Sequence, residues 1–550
     1  PLSAESGSGR CPKTPPPFGK GGRKLTIACA RFGGGASHIE SFLPSFFTKK
    51  LEKGSYMNKI WPKQLRVIFF FLFAAVFTGI VITNCRNNSI WILPAAVLIM
   101  GVLTLFNRLS RKWEELRRYY LVLAVFCVVL AAVQITLSVS LRYTPMYDIE
   151  AIYQNARLWA ETGTFGQYSS ETSAAGYLYY YPNNLGGTAL LMVVFQACRL
   201  LGIQDTFLAA SVVNSLLIVG AVCVTSLCAK RLWGVKQALT VLLVYALSLP
   251  FYFAAPVFYT DFLSILFPVL AFYLFVRQQQ DKTIPPVLYW AAVGLAAAVG
   301  MLVKFTVVII LLACLIWLLC SKQWKQAGLF TVVTGLTVIV VLYFFHSYIY
   351  ANHLDRERAN QQNMPYSHWI MMGLSETGTY NELDLKFARF IADPAERVKA
   401  IDAAIKKRAE QLGGEGIMAL YWEKGARVFG DGTFELDHFL QYDPAEKNTL
   451  HTFLLQGEQN YPAYQFLCGS VFLAVLLLCL IYAWYAFLTI LRGRKRIKGC
   501  MVPQMCMFGL LLFLMVWEAN SRYIINFLPM VYLSAIPGRQ VLSELIWRRR

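Results

Sequence analysis

Long apolar runs separated by short polar loops dominate the sequence. A helix needs about 20 mostly apolar residues to cross roughly 30 Å of hydrocarbon. The candidate membrane helices are 66–83, 90–106, 119–140, 186–201, 206–228, 237–255, 259–276, 286–303, 305–320, 328–349, 466–490, 500–517 and 523–537. This pattern predicts an all-α polytopic membrane protein with about twelve or thirteen transmembrane helices.

Composition and charge support this class. Hydrophobic residues make up 57% of the 550 positions and charged residues only 15%, whereas soluble domains are less apolar and more charged. A net charge of +20 would suggest a nucleic-acid partner in a soluble protein. Here, however, the basic residues lie in short loops between apolar runs, where they set topology, so we expect no nucleic acid.

The basic loops predict which ends of the helices face the cytoplasm. They are 107–118, 229–236, 276–282, 321–326 and 491–499, and the positive-inside rule places all five in the cytoplasm. This orientation puts 141–185 and the long polar segment 350–461 on the outer side, and it puts the C-terminus inside. We therefore expect a multi-pass protein of the cell membrane, and the bacterial plasma membrane is the predicted location.

One pair of runs conflicts with this topology. If 141–185 is outside and 229–236 is inside, the runs 186–201 and 206–228 cannot both cross the membrane. The shorter run carries Gln196 and Arg199, so we interpret it as a tilted, re-entrant or interfacial helix. The alternative is a basic loop that departs from the rule.

The chain divides into four regions on these grounds. Residues 1–56 are rich in Gly, Pro and Ser and are interpreted as a non-native leader that precedes a true start at Met57, or alternatively as a disordered cytoplasmic tail. Residues 57–349 form the N-terminal transmembrane region, which includes the outer loop 141–185. The outer segment 350–461 and the C-terminal membrane helices of 462–550 follow.

Several kinds of chemistry have no signature in the sequence. The stretch "GKGGRK" lacks the spacing and the following Ser or Thr of a phosphate-binding loop, and no glycine fingerprint follows a predicted strand. The 13 cysteines are scattered, mostly within apolar runs, without zinc-ligand spacing. We interpret the cysteines as small core residues and expect no nucleotide-driven function.

Two carboxylates stand where the run 119–140 leaves the membrane. If 147–161 is a helix, one face contains Ile149, Ile152, Ala156, Trp159 and Ala160, as in a helix lying along the outer surface. Asp148 and Glu150 then differ by about 200° of rotation and point apart. The alternative is that Asp148 only caps the helix.

Three more charged residues lie at predicted outer ends of membrane helices. Asp261 is a lone acid in "APVFYTDFLSILF", and Lys304 interrupts the apolar stretch "AAAVGMLVKFTVVIILL". Such residues are costly in a membrane and often functional, although Lys304 could instead snorkel to the interface. Arg522 in "WEANSRYIINFLP" could pair with Glu518 at the i, i+4 spacing.

The order of these features resembles the GT-C glycosyltransferases, in particular those of the protein O-mannosyltransferase and aminoarabinose-transferase type. The resemblance lies in "YDIEAIYQNARLWAETGTF", in "YYPNNLGG", in "APVFYTDFLSILF", in "GMLVKFTVV" and in "EANSRYIINFLPMVYLSA". It implies a GT-C membrane fold and transfer of a sugar from a polyprenyl-phosphate carrier to an acceptor on the outer side, with an acid of the first outer loop as the base. The acceptor could be a cell-wall polymer, a glycolipid or a protein.

The chemistry of this reaction suggests roles for the candidate residues. A carboxylate, Asp148 or Glu150, would take the proton of the acceptor hydroxyl, and Lys304 and Arg522 would stabilise the departing lipid phosphate. Asp261, Tyr181 and Tyr523 would bind substrate or support a metal. Carboxylates suit Mg²⁺ or Mn²⁺, and the sequence leaves the need for a metal open.

Two other functions remain open at this point. A polysaccharide polymerase or ligase that acts on lipid-linked oligosaccharide would also combine many membrane helices with one large outer loop. A secondary transporter would instead place ionisable residues at the bilayer midplane within internal repeats. We see no clear repeat, and the ionisable residues gather at one face.

The outer segment 350–461 contains one strong helix signal and one possible lid. In "DPAERVKAIDAAIKKRAEQLGG", Asp393 is a cap, Pro394 is at the first helical position and the glycines are a stop signal. The stretch 364–381 could lie over the active site. We interpret the polar side chains His353, His368, Arg356 and Arg358 as solvated loop residues, with carrier or acceptor binding as the alternative.

The topology is testable with reporter fusions. Fusions after Arg117, Lys236, Lys282, Lys325 and Arg496 are expected to report the cytoplasm, and fusions within 350–461 are expected to report the outer side, because basic loops stay on the cytoplasmic side. An outer-side signal at Arg496 would contradict the topology, since that loop holds the densest positive charge.

Overall fold

The apolar runs fold into helices throughout the computed structural model, which describes residues 61–89, 91–110, 115–165, 176–281, 283–493 and 499–547. No β-strand occurs in these ranges, where the extended pairing is limited to an isolated bridge between Tyr143 and Pro444. The predicted all-α class is therefore confirmed. The interpretation of residues 1–56 as a leader or tail lies outside the described residues.

The helices up to residue 352 follow the apolar runs. They are α1 (Lys63–Asn87), α2 (Ile92–Leu109), α3 (Leu116–Ser140), α4 (Tyr147–Thr162), α5 (Tyr177–Tyr180), α6 (Leu185–Leu200), α7 (Thr206–Trp233), α8 (Val235–Leu247), α9 (Pro250–Phe253), α10 (Thr260–Leu263), α11 (Leu266–Gln280), α12 (Pro286–Val303), α13 (Val308–Cys320) and α14 (Trp324–Asn352). Two short 3₁₀ helices, Pro182–Asn184 and Phe305–Val307, precede α6 and α13.

The outer segment and the C-terminal region are helical as well. Their helices are α15 (Arg356–Gln362), α16 (Tyr366–Gly373), α17 (Glu382–Phe390), α18 (Pro394–Gly430), α19 (Leu436–Leu440), α20 (Thr449–Leu454), α21 (Tyr461–Leu491), α22 (Val502–Val516) and α23 (Leu528–Trp547). A 3₁₀ helix, Ser521–Phe527, leads into α23.

Seven helical stretches in the described ranges are long and apolar enough to cross a membrane. They are Lys63–Asn87, Leu116–Ser140, Thr206–Trp233, Thr260–Gln280, Pro286–Val303, Trp324–Asn352 and Tyr461–Leu491. Four shorter apolar helices, Ile92–Phe106, Val235–Leu247, Phe305–Cys320 and Val502–Val516, accompany them. The two remaining sequence candidates, 186–201 and 523–537, correspond to α6 and to the 3₁₀ helix with the first half of α23.

The predicted cytoplasmic ends of several helices meet in one layer. Lys230, at the end of α7, donates a hydrogen bond of 2.6 Å to the hydroxyl of Tyr120 at the start of α3. Arg231 donates to Gln280 at the end of α11 (3.4 Å), and Gln279 accepts from Gln323, which precedes α14 (3.4 Å). Three of the basic loops thus come together, as they must if they face the same side.

The opposite ends form a second layer, which we call the outer layer. Arg142, just after α3, forms an ion pair with Asp205, just before α7. Gly186, near the start of α6, is packed so tightly on the last turn of α12 that a Cβ there would overlap the carbonyl group of Leu302. The ends of α3, α7, α6 and α12 therefore lie at one level.

Helix α6 begins and ends in this outer layer. Near its C-terminus, Arg199 donates to the carbonyl oxygens of Ala160 (3.0 Å) and Glu161 (2.8 Å) at the end of α4. Tyr153 in the middle of α4 is hydrogen-bonded to Thr206 at the start of α7 (2.6 Å). This placement supports the interfacial interpretation of 186–201, with α4 alongside it.

The face predicted for α4 agrees with the structure. The apolar side of α4 packs on other helices, including α6. The residues of this side are therefore all buried: Ile149, Ile152, Ala156, Trp159 and Ala160. The sequence periodicity of 3.6 residues therefore identified the face correctly.

The strong helix signal in the outer segment is also confirmed, with one addition. The carboxylate of Asp393 accepts from the backbone N–H of Glu396 (2.8 Å), and Pro394 occupies the first turn of α18. Gly413, at φ 59°, is a non-helical residue within α18, so the glycine pair interrupts the helix as expected. The helix then resumes and reaches Gly430.

Two buried cations hold the outer segment together through hydrogen bonds to backbone carbonyls. Arg397 donates to backbone carbonyls of two segments that precede it, including those of Ile391 (2.9 Å) and Gln361 (3.1 Å). Lys424 donates to the carbonyls of Gly373, Met515 and Trp517 at 3.0, 2.9 and 2.7 Å. Lys424 thereby ties the stretch 364–381 to the outer end of α22.

The interpretation of the histidines in this segment as solvated is wrong. His368 is fully buried, and burial lowers the pKa of its ring to about 4. His353 packs between Trp159 and Phe165, with ring centroids 4.6 and 5.3 Å away. Arg356 and Arg358 are exposed and lie over Tyr350 and Tyr179. The helices of the outer segment bury rings that the sequence pattern placed in a loop.

The close contact of α6 with α12 gives a test of this fold. Gly186→Ala is expected to destabilise the protein by about 1–3 kcal/mol, as overpacking does elsewhere, and to lower the apparent Tm in detergent. Gly335→Ala in α14 is the control, because a Cβ there meets no atom within 4 Å. Equal Tm values for the two variants would contradict the contact.

Candidate active site in the outer layer

Asp148 lies in the first turn of α4 and points to another part of the chain. The helix begins at Tyr147, which has a left-handed backbone with φ 57°, and no side chain caps it. Instead, the carboxylate of Asp148 accepts a hydrogen bond of 3.0 Å from the hydroxyl of Tyr259. The alternative interpretation of Asp148 as a helix cap is therefore wrong.

Asp261 and Lys304 form a buried ion pair. Asp261 belongs to the single-turn helix α10, and Lys304 is the extended residue at which α12 ends. The side chains of Asp261 and Lys304 are only 2% and 15% exposed. Snorkelling is therefore excluded for Lys304: the helix breaks at this residue, and its ammonium group pairs with the buried Asp261 and is not solvated.

Arg522 joins this pair from the C-terminal region. Its Nε lies 3.6 Å from Oδ2 of Asp261, and its Nη1 lies 3.5 Å from Oε2 of Glu435. The predicted pairing of Arg522 with Glu518 at i, i+4 is wrong, because residues 521–527 form a 3₁₀ helix and not an α-helix. Asp261 thus bridges two cations that are far apart in the sequence.

Aromatic rings enclose the two cations. The Lys304 ammonium lies 4.5 Å from the ring centroid of Tyr523, and the Arg522 guanidinium lies 5.3 Å from the same centroid. Arg522 is also 5.7 Å from the ring of Tyr259, whose hydroxyl contacts Asp148. Tyr259 therefore connects the general-base candidate with the cations. We call Asp148, Tyr259, Asp261, Lys304, Glu435, Arg522 and Tyr523 the outer-face cluster.

Glu435 reaches the cluster from the outer segment and was missed by sequence reasoning. Its carboxylate accepts from the backbone N–H of Ser521 (2.9 Å), and Asp431 accepts from the Ser521 hydroxyl (2.7 Å). Phe434 and Glu435 both have left-handed backbones, with φ 60° and 53°. Strained residues of this kind often mark functional sites. The available signal was the dense run of acids and aromatics in "FGDGTFELDHF".

The remaining predicted residues lie around the cluster. Tyr181 packs on Tyr177 (5.0 Å) and Trp369 (6.1 Å), one layer away from the cations. Tyr523 donates its hydroxyl hydrogen to the buried carboxylate of Glu518. Glu150 is half-buried on α4 and, in the described part of the chain, makes no hydrogen bond or ion pair with the cluster. Of the two carboxylates in the first turn of α4, Asp148 is thus the one that joins the cluster.

Burial shapes the charge of the groups that surround Arg522. It raises the pKa of the Glu435 carboxyl, while Arg522 opposes the shift. Burial also raises the pKa of Glu518, against the effects of Tyr523 and Arg522. Burial and the neighbouring Arg522 lower the pKa of His438 to about 4, so this imidazole is neutral at pH 7. Burial thus makes Glu435 and Glu518 weaker acids than usual, and His438 adds no positive charge beside Arg522 at pH 7.

The donor set does not fit a metal ion well. No group of three or more His, Cys, Asp or Glu side chains that could hold a metal occurs among the described residues. Asp261, the carboxylate suggested as a metal ligand, already faces both Lys304 and Arg522. A divalent cation there would be repelled by two fixed positive charges, so no step of a reaction is assigned to a metal ion.

The stretch 364–381 lies beside the cluster. The backbone N–H of Ala519 donates to the carbonyl of Gly378 (2.9 Å), next to the buried Glu518. Trp369 stacks on Trp517 with 5.2 Å between ring centroids. These contacts place the segment where a lid would lie; that function itself remains a prediction.

Comparisons with known proteins give the family but no reaction. The sequence matches the family described as conserved hypothetical integral membrane protein over residues 56–538. A comparison with curated proteins gives no match. Among solved structures, the chain is similar to the crystal structure of ArnT from Cupriavidus metallidurans bound to undecaprenyl phosphate. The identity is 14%, 77% of this chain and 79% of that chain are covered, and the TM-score is 0.35, which is too low to carry an argument.

The bridging role of Asp261 predicts an order of stabilities. Asp261→Asn is expected to cost about 3–5 kcal/mol, since it leaves the buried Lys304 without its carboxylate. Lys304→Met is expected to cost less, because Asp261 keeps Arg522. The control is Lys386→Met, whose pair with Glu382 is exposed and worth about 0–1 kcal/mol.

Apparent Tm values of the purified variants in one detergent measure this order. A Tm for Asp261→Asn equal to that of Lys386→Met would show that the buried pair does not stabilise the fold.

Proposed function

The chain belongs to this family of conserved integral membrane proteins, whose description names no reaction, and we propose that it is a glycosyltransferase. In this proposal it moves a sugar from a polyprenyl-phosphate donor to an acceptor on the outer side of the membrane. The observation that carries the proposal is the outer-face cluster: a carboxylate, Asp148, is linked through Tyr259 to two enclosed cations at the ends of membrane helices.

The position of the cluster suits a substrate that is anchored in lipid. A polyprenyl phosphate keeps its chain in the bilayer and its phosphate at headgroup level. Lys304 is the residue at which α12 ends, and Asp261 lies in α10, just before α11. A phosphate at that level would reach them without leaving the membrane surface. A reaction between a lipid-linked sugar and a water-side acceptor has to occur at this depth.

Asp148 is the proposed general base. As the acceptor hydroxyl attacks C1 of the sugar, its oxygen forms a bond to C1, and the bond between C1 and the phosphate oxygen breaks. The hydroxyl proton passes to Asp148, a step worth about 10²–10⁴ in rate. Tyr259, through its hydrogen bond of 3.0 Å, would hold the carboxylate in one orientation.

Lys304 and Arg522 are the proposed stabilisers of the leaving group. The electron pair of the broken bond stays on the lipid phosphate, whose charge grows in the transition state, and preorganised cations lower the energy of such charge. Asp261 and Glu435 keep the two cations in place before the donor binds. Asp261 is shared between the two cations.

Substitution of the carboxylates on α4 tests the proposal. Asp148→Asn keeps the size of the side chain but cannot accept a proton, so transfer from a radiolabelled polyprenyl-phosphate monosaccharide is expected to fall by roughly 10² or more. Glu150→Gln is the matched control, because Glu150 lies outside the cluster, and it is expected to retain most activity.

The outcomes separate the alternatives. Loss of activity in Glu150→Gln with normal Asp148→Asn would exchange the two roles. Unchanged transfer in both variants would remove the main support for the proposal. Activity with lipid-linked oligosaccharides alone, and none with the monosaccharide donor, would identify a polymerase or ligase instead. Chelator treatment of the active enzyme would show whether a metal takes part.

A further inference from the structure

Helix α17 of the outer segment exposes a row of large apolar side chains. Leu383, Phe387 and Phe390 are 74%, 42% and 90% exposed, and their i, i+4, i+7 spacing places them on one side of the helix. Large apolar groups grouped on a surface usually mark an interaction site. The described part of the chain leaves this side of α17 uncovered.

The rest of the helix is fixed, so this row cannot turn inward. Asp384 is buried and receives two hydrogen bonds, of 2.7 and 2.5 Å, from the guanidinium of Arg408 in α18. Ala388, one turn later, is buried in a small core with Met371 and Ile401. The two hydrogen bonds from Arg408 and this small core hold one side of α17 against the rest of the outer segment. The apolar row therefore lies on the side of α17 that faces away from the outer segment.

The helix lies at the level of the membrane surface. Arg389 of α17 is 4.6 Å from the ring centroid of Tyr180 and 5.9 Å from that of Tyr181, and both tyrosines lead directly into α6 in the outer layer. Trp369 of α16 packs in the same small core as α17 and stacks on Trp517 at the outer end of α22. Trp and Tyr rings are enriched at this depth in membrane proteins.

The lipid-facing surface continues up to this level. Trp517 stacks on Phe513 (5.2 Å), and beside it Leu512 and Val516 of α22 are about half exposed, as expected for side chains that face lipid. The aromatic contacts therefore run without a gap from a membrane helix to the helices that hold α17.

We propose that α17 is an interfacial helix whose apolar row enters the outer leaflet of the bilayer. Leu383, Phe387 and Phe390 contact the acyl chains of bilayer lipids, while Lys386 and Arg389 lie along the edge of the row, where lipid phosphates are found. Helices with an apolar face and a basic edge bind membranes in this way. The anchor holds the stretch 364–381 against the outer layer beside Glu518.

Photo-crosslinking tests this contact independently of any enzyme activity. The photoreactive amino acid p-benzoylphenylalanine is placed at position 390 or 383. In matched controls it is placed at Lys399 or Glu410, which are exposed on the side of α18 opposite Ile401 and therefore face away from α17. The full-length protein is reconstituted in nanodiscs of phosphatidylethanolamine and phosphatidylglycerol, irradiated and analysed by intact-mass spectrometry. All four positions are exposed, so the substitutions leave the fold intact, which an unchanged Tm verifies.

The expected result is adducts with the mass of one phospholipid at positions 390 and 383, at least about five-fold more abundant than at 399 and 410. Absence of lipid adducts, or equal yields at all four positions, would overturn the proposal. Adducts that join two copies of the chain, or that fall within the chain itself, would also overturn it, because they would show another occupant of the row. None of these outcomes depends on whether the protein transfers a sugar.

Discussion

The structure of the candidate site depends on Asp261 and on the two cations that it bridges. A buried ion is costly unless it is paired and well placed, and Lys304 and Arg522 each bring a charge into an apolar region. Asp261 faces both, so the break after α12, the single-turn helix α10 and the 3₁₀ helix before α23 are held at one point. If that carboxylate were removed, three segments would lose their common partner.

The outer segment is attached by a different kind of interaction. Arg397 and Lys424 are buried and donate to backbone carbonyls. Such bonds satisfy carbonyl groups at helix ends that would otherwise lack donors, and they need no second buried charge. The segment thereby supplies Glu435 to Arg522 and places 364–381 beside the cluster. The membrane helices alone would leave Arg522 with half of its ion pairs.

Local strain lies where these parts meet. Tyr147 begins α4 and precedes Asp148. Phe434 and Glu435 form the turn that places the Glu435 carboxylate opposite Arg522. All three have left-handed backbones, which cost free energy for residues with a Cβ. These strained residues determine where Asp148 and Glu435 point. Surrounding contacts, such as the hydrogen bonds that Asp431 accepts from Phe434 and Ser521, keep the turn at 434–435 in place.

The sequence by itself determined the class of the protein, the course of its membrane helices, the apolar face of α4 and the cap at Asp393. These depend on local spacing and on the transfer of side chains from water to lipid, both of which can be deduced from neighbouring residues. It also named Asp148, Asp261, Lys304 and Arg522, because charges next to apolar runs are conspicuous. Only the tertiary structure decided their partners. Asp261 is 261 positions from Arg522 and 43 from Lys304, and Glu435 comes from a separate segment. Contacts over such sequence distances depend on how the helices pack, and a local sequence pattern carries no information about that packing.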